Sequence, residues 1–110
     1  MPLLIRHNIS GAVDKVLIPP GSKNGNISSV SIANTHASDD VVVDLYISTL
    51  SLAGSAATVY YILKGRLIQK GDNLVLSSNN IRFDNVDRAG DGLYIKLGAS
   101  TSTVDVIIVK

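Results

Sequence analysis

Two histidines, His7 and His36, and nine acidic side chains, all of them Asp, are the groups with which this chain could move protons or hold a cation. His36 lies in the polar stretch Thr35-His36-Ala37-Ser38-Asp39-Asp40, where an imidazole beside carboxylates and hydroxyls suggests a general base or a metal ligand. Such chemistry needs converging geometry that adjacency in sequence does not supply, so the residues favour a solvated turn histidine. Asp84, Asp87 and Asp91 fall in one stretch, D-N-V-D-R-A-G-D, and carboxylate oxygens are what calcium takes. An EF-hand loop needs a ligand at every second position and a distal Glu. Val86 interrupts that spacing, and the chain has no Glu.

Other motifs are incomplete. No G-x-S-x-G nucleophile elbow occurs. Gly21-Ser22-Lys23 lacks the upstream glycine of a phosphate-binding loop. Asn8-Ile9-Ser10 and Asn26-Ile27-Ser28 match the N-glycosylation pattern, which carries meaning only in a secretory context. With no Trp and a single Phe, any stacking platform would have to use Tyr46, Tyr60, Tyr61 or Tyr94. The expectation is a protein without catalytic residues, cofactor or metal.

The elements that must carry these residues follow from composition and period. At 110 residues the chain fits one domain, residues 1–110, able to close a core without staples. With no Cys it has neither disulfides nor thiolate metal sites. A net charge of +1, with both signs scattered, argues against binding nucleic acid through many phosphate contacts. The opening residues show no signal-peptide core, and no apolar run has the length of a membrane-spanning helix. Asp in place of Glu, with abundant Val, Ile, Ser, Asn and Gly, suits short strands joined by polar turns.

Alternation gives the strands. Leu3–His7 and Val13–Ile18 are the first two, separated by an Asn8–Gly11 turn, and Pro19-Pro20-Gly21 ends the second. The stretch Asn26–Leu50 organises the rest. In it Ile27–Ala33 and Val41–Leu50 flank a hinge at Asn34–Asp40, and the pattern predicts a central hairpin. Val30, Ile32, Val41, Val43, Leu45 and Ile47 form its core face. Ser51–Ala57 reads as a loop, Thr58–Lys64 as a strand, and Arg66–Gln69 as a short extended piece after Gly65. Adjacent Tyr60 and Tyr61 should place one ring in the core and one outside. Two Gly-Asp turns, at Gly71-Asp72 and Gly90-Asp91, each launch an alternating strand, with a brief strand at Ile81–Phe83 between them. Leu93–Leu97 and Thr103–Lys110 close the chain, the latter turning Ile107 and Val109 away from Val104, Val106 and Ile108. This predicts an all-β antiparallel sandwich, jelly-roll or Ig-like, of about eight or nine short strands and no helix.

The order of these features, from Ile18-Pro19-Pro20-Gly21 through Ala33-Asn34-Thr35, Val41-Val42-Val43-Asp44-Leu45-Tyr46-Ile47, Lys70-Gly71-Asp72-Asn73-Leu74 and Gly90-Asp91-Gly92-Leu93-Tyr94-Ile95 to Val104-Asp105-Val106, resembles small β-sandwich virion proteins of tailed bacteriophages. These serve as head-decoration, head–tail or tail accessory components. The resemblance implies a homo-oligomeric structural protein of the virion, assembled in the host bacterial cytoplasm. Its partners would be the major capsid protein or tail and neck components, with no role for nucleic acid or membrane. Tyr46, Tyr94, Ile107 and Val109, and His36 in its exposed loop, are the candidate interface residues, because aromatic and apolar groups carry most interface energy. A carbohydrate- or receptor-binding sandwich on a phage fibre is the alternative.

Overall fold

The computed structural model describes residues 4–18, 27–49, 59–77 and 91–109, and every structural statement below concerns these. They form eight strands: β1 (Leu4–Ser10), β2 (Lys15–Ile18), β3 (Ser29–Asn34), β4 (Val41–Thr49), β5 (Val59–Ile68), β6 (Asn73–Ser77), β7 (Asp91–Leu97) and β8 (Thr103–Val109). They lie in two four-stranded sheets, ordered β1-β8-β3-β6 and β2-β7-β4-β5, and every pairing is antiparallel.

This order is that of a chain folded first as one long hairpin. β1 pairs β8, β2 pairs β7, β3 pairs β6 and β4 pairs β5. The hairpin is then rolled so that β3 also meets β8 and β4 meets β7, which gives two stacked sheets. The architecture is a jelly roll, which settles the choice left open against the Ig-like order. Between the described strands only the β4 to β5 connection stays within one sheet.

The core is the two inner faces. Val30, Ile32, Val104, Val106 and Ile108 from one sheet meet Val41, Val43, Leu45, Leu93, Ile95 and Leu97 from the other, and all are buried. The period-two alternation of the sequence is what places them there. Each such side chain taken fully from water contributes on the order of 1.5–3 kcal/mol. Ile47 is half-buried and packs against this cluster.

Several sequence expectations change. The predicted hairpin of Asn26–Leu50 does not form: β3 lies between β8 and β6 of one sheet, β4 between β7 and β5 of the other. The polar stretch between them is a crossing from sheet to sheet. Asn34 makes that crossing possible. Its side chain is buried, and its amide nitrogen donates to the carbonyls of Asp39 at 2.9 Å and Ile68 at 3.0 Å. Its amide oxygen accepts the backbone N–H of His36 at 2.9 Å. One amide thus ties the end of a strand in one sheet to the end of β5 in the other, with each of its polar atoms satisfied.

The Asn8–Gly11 turn is likewise wrong at its start. β1 continues through Ser10, held by pairing with β8, and the chain turns at Gly11, whose φ of 87° suits glycine. The second strand begins at Lys15 rather than Val13. Thr58–Lys64 and Arg66–Gln69 merge into the single strand β5, with Gly65 inside it as a bulge. Tyr60 and Tyr61 are both exposed, because β5 is an edge strand and has no neighbour beyond it to cover a ring. The turn at Gly71, with φ of 76°, does launch β6 as expected. The Ser51–Ala57 loop, the Ile81–Phe83 strand and the Asp84–Gly90 part of the acidic stretch lie outside the described residues.

Asn34→Ala removes both donors and the acceptor at once and strands the buried Ile68 carbonyl and the part-buried Asp39 carbonyl. We expect a loss of about 2–4 kcal/mol, read as a lower urea midpoint at unchanged slope.

Candidate functional site

The outer face of the β2-β7-β4-β5 sheet is where the described side chains assemble most strongly. On β4, Leu45 points inward, so its neighbours Asp44 and Tyr46 point out. The ladder sets Tyr46 opposite Tyr94 on β7 and opposite Tyr61 on β5, while Tyr94 sits opposite Val16 on β2. A row Val16–Tyr94–Tyr46–Tyr61 therefore crosses all four strands. The Tyr46 and Tyr94 rings stack, with centroids 5.6 Å apart and planes 9° from parallel. Tyr61 meets Tyr46 at 5.6 Å with its plane tilted by 56°. Flanked on both sides, Tyr46 is only 7% exposed although it lies on an outer face. Burial first, then hydrogen bonding to the Asp14 carboxylate and that carboxylate's charge, push the Tyr46 phenol well above the ordinary tyrosine value.

A charged row runs beside the aromatic one. Asp44 lies opposite Lys96 on β7. Its carboxylate accepts the Gly65 N–H at 2.7 Å and faces the Lys64 ammonium at 3.4 Å. The ammonium also lies 4.5 Å from the centre of the Tyr61 ring, a cation–π contact. The Asp44 hydrogen bond and charge raise the Lys64 value, so the cation is favoured. Lys64 and Gly65 together oppose Asp44 alone, a bulge in which Gly65 takes a φ of 66°. A second irregularity leaves Ile62 unpaired between Leu63 and Tyr61. Two bulges in an edge strand bend it away from strand addition. A third row pairs Val42 with Leu67. Val16, Val42 and Val59 on this face are exposed, and Tyr61 and Leu67 are each 51% exposed.

The other outer face is different in kind. Across β1-β8-β3-β6 it reads Arg6–Ile107–Ser31–Val75 in one row and Asn8–Asp105–Ala33–Asn73 in the next. Asn8 donates to Asp105 at 2.6 Å. Ile107 and Val75 are exposed and Val109 is half-buried, opposite Ser29 of β3.

The five candidate interface residues are thus divided. Tyr46 and Tyr94 are neighbours on one face, Ile107 and Val109 share the opposite face, and His36 sits in the β3 to β4 crossing. The His36 Nδ1 accepts the N–H groups of Ser38 at 3.1 Å and Asp39 at 3.0 Å, and Nε2 lies 3.7 Å from the Asp39 carboxylate. The ring holds the loop in shape. His7 points toward the gap between the sheets and its Nε2 donates to the Leu17 carbonyl at 2.9 Å, joining β1 to β2. Among the described residues no three His or Asp side chains gather as metal ligands would. Compared with known protein families and with curated protein sequences, the chain matches none.

Alternation in the sequence puts Val42 on the Tyr46 face and Lys96 on the Tyr94 face, as found, but sequence reading missed Asp14, Val16, Lys64 and Leu67 as members of this face. Alternation could show that they point outward. Only the register across four strands shows that they meet.

Because the folded chain holds the Tyr46 proton above the unfolded value of about 10, stability should fall as pH rises through and past that value. Ultraviolet titration should show a phenol that ionises late, and Tyr46→Phe should remove that step and flatten the alkaline loss.

Proposed function

We propose that this chain is a non-enzymatic structural component of a bacteriophage particle, a capsid decoration or head–tail or tail accessory protein, working through protein–protein contacts in a symmetric assembly. One observation carries the contact part of this reading. A single sheet face gathers Val16, Val42, Val59, Tyr61 and Leu67, all exposed, around a tyrosine row. Apolar side chains scattered singly are ordinary, but here a row of apolar and aromatic side chains crosses all four strands from Val16 to Tyr61, and a second pair, Val42 and Leu67, lies beyond one charged row on the same face. The bulges of β5 leave the face, rather than that edge, as the means of contact.

The phage part is supported by the resemblance in strand and turn order, and by the fold class: jelly rolls build capsid domains, though also lectin domains, and fold alone does not assign function. On this reading the partners are the major capsid protein or tail and neck components, and the protein resides in the virion.

The tyrosine row favours one second reading, a carbohydrate- or receptor-binding module on a phage fibre, since sugars and aromatic faces stack. A glycan array that stays blank would remove it.

The assembly reading expects oligomers in light scattering across a concentration series, and binding of the purified chain to phage particles that lack it. A strict monomer that also leaves such particles bare would end this reading.

A further inference from the structure

The charged row on the outer face of the β2-β7-β4-β5 sheet is ordered in a way that specifies its own counterpart. Lys15 lies opposite Ile95 and Val16 opposite Tyr94, so carrying that register one residue beyond the start of β2 brings Asp14 abreast of Lys96. Lys96 lies opposite Asp44, and Asp44 is beside Lys64. Read across the strands, the row is Asp14–Lys96–Asp44–Lys64, strictly alternating in sign.

We propose that this face binds a second copy of the same chain, face to face, about a two-fold axis that runs along the strands between β4 and β7. Such an axis exchanges β4 with the second copy's β7, and β5 with its β2. Asp14 then meets Lys64, Lys96 meets Asp44, and the same two contacts recur in reverse, so each charge faces its opposite. An axis moved onto β4 would set Asp44 against Asp44 and Lys64 against Lys96. The alternation therefore places the axis between β4 and β7, where the face is complementary to itself as an isologous interface requires.

The neighbouring rows fit the same operation. Tyr94 meets Tyr46, and Val16 meets the exposed Tyr61. The strands of the two copies stay aligned, as in face-to-face sheet packing. The extent suits a weak, concentration-dependent pair. Strands of 4, 7, 9 and 10 residues, at about 3.4 Å per residue and about 4.8 Å apart, span roughly 500 Å2. Two such faces together hide roughly 1,000 Å2, the size of a transient interface. A net-neutral face with fixed sign order suits a copy of itself better than a uniformly charged partner.

This inference rests on the reading above only in expecting that copies associate. The chain has no Cys, so a single introduced thiol reports one position. Val42→Cys lies on β4 next to the axis, and Ile107→Cys lies on the opposite face. A short bismaleimide should join two copies of V42C into a covalent dimer and leave I107C monomeric. Lys96→Glu, at an exposed position, should weaken dimerisation in sedimentation by about tenfold or more, while the carboxylate it sets opposite Asp44 within the sheet should lower the thermal midpoint by only a few degrees. A dimer that K96E leaves intact, or that cross-links through I107C instead, overturns this face and leaves the assembly reading standing. A wild-type chain that is monomeric at every concentration overturns it too, while particle binding decides the assembly reading separately.

Discussion

The fold depends on two adjacent strand pairs, β3–β8 and β4–β7, showing unbroken apolar rows to each other. Every other strand attaches to an edge of one of these pairs. The central strands carry the most buried side chains, such as Val30, Ile32, Val43, Leu45, Ile95 and Val106. β5 and β6 at the outer edges are exposed or half-buried along most of their length. Because a strand alternates with period two, committing one side of β4 to the core leaves Asp44 and Tyr46 outside. The composition of the outer face is thus the complement of the core's demand, and the tyrosines gather there because register brings three strands' outward residues abreast.

Turning a long hairpin into two sheets means that the backbone must cross the gap between them repeatedly, and each crossing leaves polar groups to be satisfied. Asn34 answers for one crossing and His7 for another. Asn34 binds carbonyls on both sides of its crossing, and His7 reaches from β1 to the Leu17 carbonyl on β2. The β5–β6 turn is tied in as well, since Asn34 N–H reaches the Asp72 carbonyl at 3.0 Å and Asp40 accepts the Lys70 N–H at 3.1 Å. Polar residues that look like candidates for chemistry in the sequence are thus occupied as fasteners. His36 is the clearest case, its ring nitrogens turned to its own loop.

What the sequence makes legible is what local chemistry determines. The alternation in β4 and β8, the inward set from Val30 to Leu45, and the turn at Gly71 all follow from neighbours a few residues away. Sheet membership does not, because pairing joins residues such as Leu4 and Val109. That is why two strong strands flanking a polar stretch read as a hairpin when they belong to different sheets. β5 breaks in two in sequence because Gly65 is read as a terminator, whereas Asp44 holds it within the ladder. The candidate face was legible only in fragments: Tyr46 and Tyr94 stand out as single residues, and their meeting with Tyr61, Asp14 and Lys96 depends on register.

The nested pairing also sets a timetable. Only β4 and β5 can zip together from neighbouring sequence, and each further pair encloses the one before. β1 can find β8 only when all the strands between them are present, so contacts of this kind favour slow folding. Of the eight strands β1 is made before the others and waits longest for its partner. The alternating Arg6 and Asn8 along that strand keep it wettable in the interval. A segment placed to pair last is thereby made poor at pairing early with the wrong chain.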